Sequence, residues 1–187
     1  MFEAKGRRFA LDESELKRAH LGIKLVGCPR CGRIGALIGH GWLTGYAERE
    51  QGRVVRGRRF FCSNRYRRPG CGRTFSMLLV TLIAGFVVRA LTLWSFVEQV
   101  VVGVSRRAAW ATAAGDAFSI SSAYRLWRRA KAAEISLRAR LCRECAPPGS
   151  VSDEPLAELL AHFRAAVPDI VCSFSGYQLR LQEGLFG

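Results

Sequence analysis

The sequence predicts an α+β chain in three parts: a small N-terminal domain of strands gathered by four cysteines, an all-helical region with a helix-turn-helix pattern, and an amphipathic C-terminal tail. Three observations predict it. Cysteines stand at 28, 31, 62 and 71, and a glycine follows the second and the fourth directly. Glycine, aromatic and β-branched residues fill the space between the cysteine pairs, whereas beyond residue 77 apolar residues recur every three or four positions. Pro147-Pro148-Gly149 then breaks the chain before the tail. The expected bounds are an N-terminal arm at 1–20, the cysteine domain at 21–76, the helical region at 77–145, and linker, helix and tail at 146–187.

Residues 1–20 are rich in charge and carry only scattered apolar side chains such as Leu11 and Leu16. They read as a loosely attached arm with a short helix capped by Asp12 or Ser14. Lys5, Arg7 and Arg8 are placed to reach phosphate or to remain solvated. No apolar core of a secretory signal occurs in residues 1–18, so a reducing cytoplasmic setting, with nucleoid association, is expected.

Cys28-Pro29-Arg30-Cys31-Gly32 has the spacing of a metal knuckle, in which two thiolates bite one ion and the glycine relieves the turn. Cys62 and Cys71 supply the other half of a tetrahedron, which makes a four-cysteine zinc ribbon holding one structural Zn(II) with no open position. The second pair is separated by eight residues instead of two, and the insert contains Arg65, Arg67, Arg68 and a Pro69-Gly70 turn. His40 is the rival ligand. Its setting, Gly39-His40-Gly41-Trp42, places it on a strand facing solvent or hydrogen-bonded.

Between the pairs, residues 34–46 mix glycines with Ile34, Leu37, Ile38, Trp42, Leu43 and Tyr46, the composition of a short twisted strand. Residues 53–62 return as the second strand of a hairpin that delivers Cys62 beside the first knuckle.

Charge locates a second property. Lys and Arg number 29 against 15 Asp and Glu, for a formal net charge of +14. Residues 1–76 hold 17 bases and 6 acids, residues 77–146 hold 10 and 4, and residues 147–187 hold 2 and 5. Eight arginines (Arg53, Arg56, Arg58, Arg59, Arg65, Arg67, Arg68 and Arg73) fall in 21 residues with no acid, interleaved with Phe60, Phe61 and Tyr66. A surface of that kind attracts polyanions, nucleic acid first among them.

Residues 77–88 are almost wholly apolar but too few to span a membrane, and read as a buried core helix. Phe86, Val87, Ala90, Leu91, Leu93, Trp94, Val97 and Val101 continue a helical stripe that Gly103 ends. Ser105 caps a second helix over 106–114 anchored by Trp110, and Gly115-Asp116 forms a turn. Ser119 or Ser121 caps a third helix that runs through Leu141. In a helix-turn-helix this last helix is the reader, with Ser121, Ser122, Arg125, Arg128 and Arg129 in reach of base edges and phosphates. The competing reading is a helical hairpin with a solvated basic face.

Cys142-Arg143-Glu144-Cys145 is a lone CxxC, and with Cys172 it offers three thiolates, which is not a complete site. After the linker, Pro155 opens an amphipathic helix with Leu156, Leu159, Leu160 and Phe163. The alternation in Tyr177-Gln178-Leu179-Arg180-Leu181 reads as a strand or extended arm.

The order Cys-Pro-x-Cys-Gly, a glycine and aromatic strand, Arg-Arg-Phe-Phe-Cys, then Cys-Gly-Arg-Thr-Phe-Ser and a helix-turn-helix resembles the zinc-ribbon proteins of bacterial insertion sequences. There a small ribbon precedes the DNA-binding helical domain of a transposase or its accessory protein. The resemblance implies Cys28, Cys31, Cys62 and Cys71 as metal ligands and Phe75 as the aromatic that closes the second knuckle. The acids form no plausible strand-transfer trio and no nucleophilic triad is apparent, so no enzymatic activity is expected. The expected function is a zinc-stabilised, transposon-associated DNA-binding protein, with a transposase or a second copy as potential partner. An RNA-binding module and a protein-interaction scaffold are the alternatives.

Overall fold

The computed structural model describes residues 9–46, 48, 52–67, 69–149, 152–168 and 170–186. Lys5, Arg7, Arg8 and Arg68 therefore lie outside the described residues. The chain divides into two compact units, Met1–Val80 and Thr81–Gly187.

The first unit is a four-stranded sheet with one helix. β2 (Leu37–Tyr46) and β3 (Arg53–Cys62) form the expected antiparallel hairpin, β4 (Thr74–Leu79) pairs antiparallel with β3, and β1 (Phe9–Ala10) pairs parallel with β4. The order across the sheet is β1-β4-β3-β2. Register slips between Gly39 and Trp42 and between Leu43 and Thr44 bulge β2, and Gly41 takes the positive φ of +112° that the bulged stretch requires. Phe60 lies opposite Gly39 on one side and Phe75 on the other. Its ring stacks on Phe75 at 5.2 Å, the centre of a small core with Leu16, Leu37 and Met77.

Leu16 belongs to α1 (Glu13–Leu21), and here the structure departs from a loosely attached arm. Asp12 caps the helix, accepting from the Glu15 N–H at 2.7 Å, while the Glu15 carboxylate reaches back past the cap to accept from the Leu11 N–H at 2.7 Å. Phe9, Ala10 and Leu16 are all buried. These few apolar residues, spaced among charges, suffice to dock the segment because a unit this small has little other surface to bury.

The second unit is helical: α2 (Ala90–Val101), α3 (Arg106–Ala114), α4 (Ile120–Leu141), α5 (Pro155–Ala166) and α6 (Ser173–Leu181). Edge-on aromatic contacts hold its core, with Trp94 against Phe174 at 4.9 Å, Phe163 against Tyr177 at 5.2 Å and Phe96 against Trp110 at 5.1 Å. Ser105 caps α3, accepting from the Ala108 N–H at 3.3 Å. Ser105→Ala should cost this unit about 1 kcal/mol, read as a lowered urea midpoint followed by tryptophan fluorescence; all four tryptophans except Trp42 belong to this unit.

Two expectations are corrected here. Residues 77–88 are not a helix: β4 runs through Leu79, and the segment from there to Arg89 is irregular, with Gly85 at φ +80°. Its apolarity reflects burial of Val80, Leu82, Ile83 and Val88, and an unbroken apolar run carries no period from which to tell helix from strand or coil. The buried Gln178 side chain donates to the Leu82 carbonyl at 2.9 Å, supplying a partner that helical pairing would otherwise provide. Residues 146–187 pack onto the core, since Leu156, Phe163, Phe174 and Tyr177 belong to the same buried cluster as Trp94 and Trp110. And the alternating segment at 177–181 is the second half of α6, with residues 173–178 all buried regardless of polarity. Among the described residues no helix is long and apolar enough to cross a membrane.

Candidate metal centre and basic surfaces

Cys28, Cys31, Cys62 and Cys71 converge, with all four sulfurs within 4.8 Å of one another. The Cys28 and Cys71 Sγ atoms are 3.8 Å apart and those of Cys31 and Cys62 are 3.7 Å apart. Four thiolates around one ion at the usual Zn–S distance have tetrahedral edges of about 3.8 Å, so the spacing fits a metal and is far too long for disulfides. Among the described residues this is the one group of three or more potential ligands that converges; Cys142, Cys145 and Cys172 do not form a second. His40 stands apart on β2, its ring 5.8 Å from Phe61.

The eight-residue spacing of the second pair has a simple geometry. In the first knuckle the Cys28 N–H donates to the Arg33 carbonyl at 3.0 Å, and the Gly32 N–H to the Cys28 carbonyl at 2.8 Å. In the second the Cys62 N–H donates to Arg73 at 2.8 Å, and the Gly72 N–H to Cys62 at 2.9 Å. Gly32 and Gly72 share φ near +70°, at +72° and +69°. The two turns are thus the same turn, and the extra residues leave it between Ser63 and Gly70. There the Gly70 N–H donates to the Ser63 carbonyl at 3.0 Å, at an approach so close that a Cβ on Gly70 would lie 2.2 Å from that oxygen.

Backbone N–H groups also point at the sulfurs: Arg30 to Cys28 at 3.4 Å and Cys71 to Cys62 at 3.3 Å. Hydrogen bonds of this kind stabilise thiolate charge. The Arg33 N–H holds the Cys31 thiol down at about 7, whereas burial pushes Cys62 up to about 12. The cluster thus pairs a readily ionised thiol at the surface, Cys31, with a proton to be displaced at the buried Cys62. With four protein sulfurs on the tetrahedron, no position is left for substrate.

The arginines of β3 divide into two sets. Arg53 donates to the Thr44 carbonyl at 3.2 Å, Arg56 to the Tyr46 carbonyl at 2.6 Å, and the Arg58 guanidinium lies over the Trp42 ring at 4.3 Å. These three brace the bulged edge strand β2. Arg59, Arg65, Arg67 and Arg73 are exposed, and Arg65 leans on Phe61 at 5.7 Å.

In α4, Ala123, Leu126, Trp127, Ala130 and Leu137 are buried. At 100° per residue, Ser121, Ser122, Arg125, Arg128 and Arg129 lie in an arc of about 120° on the opposite side. Arg125 donates to the Ser122 hydroxyl at 3.3 Å, and Arg129 lies over Phe86 at 5.4 Å. This side also lines an open groove of about 930 Å³ between α4, the irregular segment at 85–88 and Phe186. Arg106, which the sequence reading passed over, sits 5.6 Å from both Tyr124 and Trp127 and extends the basic surface onto α3. Its place in the first turn after the Ser105 cap was the available signal.

Acids elsewhere in the unit are already paired: Glu98 with Arg164 at 2.6 Å, Glu144 with Arg180 at 3.3 Å and Glu183 with Arg140 at 3.2 Å. Asp116 is the sole acid in residues 99–133, against six bases. Positive potential is left concentrated on the first half of α4 and the start of α3. No family model, curated protein or solved structure matches the chain.

Proposed function

We propose that the chain is a DNA-binding protein without a catalytic site, in which one zinc ion folds Met1–Val80 and α3 with α4 acts as a helix-turn-helix. The observation that carries the reading is the disposition of α4: its buried stripe faces the core while Ser121, Ser122, Arg125, Arg128 and Arg129 share the solvent side. A short helix, a turn at Gly115–Ala117 and a longer helix presenting small polar and arginine side chains in its first half is the layout that a major-groove reader needs. Zinc is favoured by the all-thiolate set and its tetrahedral spacing, and the closed coordination assigns it a structural role. Service to a mobile element rests on the resemblance of the cysteine motifs to insertion-sequence ribbons.

Replacing Arg125 and Arg128 together by Ala tests the reader. Binding to duplexes enriched from a random pool should weaken by about tenfold or more, because each bidentate arginine–guanine contact is worth roughly 1–3 kcal/mol. Binding to unselected duplex should fall much less. Equal losses, measured by fluorescence anisotropy, would reduce α4 to a phosphate contact and remove the helix-turn-helix reading.

A further inference from the structure

The six residues extruded from the second knuckle, 64–69, are dispensable for closing it, since the first knuckle closes through the same hydrogen bonds without them. Two of them are nevertheless held in a costly shape. Tyr66 and Arg67 are consecutive non-glycine residues at φ +53° and +62°, in the left-handed region that L side chains avoid. Tyr66 is 94% exposed. The strained turn thus carries a large aromatic ring into water with Arg65 and Arg67 on either side.

The loop adjoins a second aromatic surface. Arg59 and Phe61 alternate along β3 with Arg58 and Phe60, so they point to the sheet face opposite the one that holds the Phe60 core. On that outer face Phe61 is flanked by His40 at 5.8 Å and by the Arg65 guanidinium at 5.7 Å. Opposite Arg59 and Phe61 on β4 stand Ser76 and Thr74, small polar residues, and Ile38 stands opposite Phe61 on β2, so that the Phe61 ring is half-exposed. Across residues 53–73 there is no acid. A face of spaced rings among unopposed cations is poorly suited to an apolar protein partner and well suited to bases stacked on rings with phosphates between the arginines.

We infer that the turn at Arg65, Tyr66 and Arg67 and the outer face around Phe61 bind unpaired nucleotides, with Tyr66 and Phe61 as stacking platforms and Arg59, Arg65 and Arg67 as phosphate contacts. The inference rests on the nucleic-acid reading above and adds to it a single-stranded or locally opened segment as the ligand of the first unit. Duplex reading stays with α4.

The full-length, zinc-loaded protein is titrated by anisotropy against a labelled 30-nucleotide DNA strand lacking self-complementarity, the RNA strand of the same sequence, and the blunt DNA duplex. Wild-type protein should bind the duplex and at least one of the single strands, with the stronger of the two naming the sugar. Tyr66→Ala should weaken single-strand binding by about tenfold, the effect of removing one stacking ring, while duplex affinity stays within twofold. Tyr66→Phe should keep single-strand affinity, and metal content should be unchanged in both variants. Single-strand binding unmoved by Tyr66→Ala, or lost in parallel with duplex binding, overturns the inference. Wild-type protein that binds duplex but neither strand also overturns it and spares the helix-turn-helix, whereas protein that binds no probe removes the nucleic-acid reading itself.

Discussion

Stripping the metal from the full-length protein is expected to unfold residues 9–80 and to leave the helices of 81–187 standing. The first unit buries few large side chains, chiefly Phe9, Leu16, Ile23, Leu37, Phe60 and Met77. Two more of its buried residues, Cys28 and Cys62, belong to the metal site itself. A core of that size gives a domain of this length only marginal stability, whereas structural zinc in small thiolate sites contributes on the order of 10 kcal/mol. An ion held by the four sulfurs would also fasten elements that are remote in sequence, tying the knuckle before β2 to the end of β3 and the turn before β4. Cys62→Ser should therefore have a larger effect than any single core truncation. Expected results are one zinc per chain in the wild type by elemental mass spectrometry, less than a tenth of that in the variant, and hydrogen exchange that becomes fast across β2–β4 while α2, α4 and α5 stay protected. Slow exchange persisting in the sheet after complete chelation would mean that the sulfurs converge for some reason other than holding an ion.

The same site should make the first unit acid-sensitive. Burial keeps the Cys62 thiol protonated through the neutral range when no metal is bound, its value being pushed up to about 12, so binding displaces that proton and affinity falls at least tenfold for each unit of acidification. Cys31, held at about 7 by the Arg33 N–H, is ionised above that value and adds its own proton only below it. Metal-dependent stability is accordingly greatest at high pH, and it is lost more steeply once pH drops past 7.

How far this was legible in the sequence depended on which interactions set each element. The cysteine site and the β2–β3 hairpin could be read because metal-ligand spacing and turn residues are local. The equivalence of the two knuckles was hidden by the insert, yet Pro69-Gly70 was its mark: only glycine fits against the Ser63 carbonyl. The helix cap at Ser105 and the burial of Trp110 were local as well. What escaped was set from far away. Residues 80–89 follow an irregular course in which Gln178, almost a hundred residues on, satisfies the Leu82 carbonyl. Residues 173–181 are helical despite their alternating polarity because Phe174 and Tyr177 must meet Trp94 and Phe163. The arginine-rich stretch looked uniform, but Arg53, Arg56 and Arg58 are committed to β2, which no local pattern distinguishes from Arg59, Arg65 and Arg67.

That division of the arginines sets the expected strength of salt on binding. Were every base an equal phosphate contact, the net charge of +14 would imply a slope of log affinity against log salt steeper than about −10. Three strand arginines are occupied by carbonyls or by Trp42, and Arg164, Arg180 and Arg140 are paired with acids. Outside the two proposed base readers, the exposed cations remaining on α3 and the first half of α4, Arg106, Arg107 and Arg129, with one or two contributed by the first unit, correspond to about four phosphates. Duplex binding should then follow a slope of about −4 and weaken by roughly 10² between 50 and 200 mM salt. Arg106, Arg107 or Arg129 changed to Ala should each flatten the slope by about one, whereas Arg56→Ala and Arg58→Ala should leave it unchanged. A slope near zero would mean that the charge serves solubility, and a slope that responds equally to Arg58 and Arg129 would mean that the protein holds DNA by its general field and not by the face of α4.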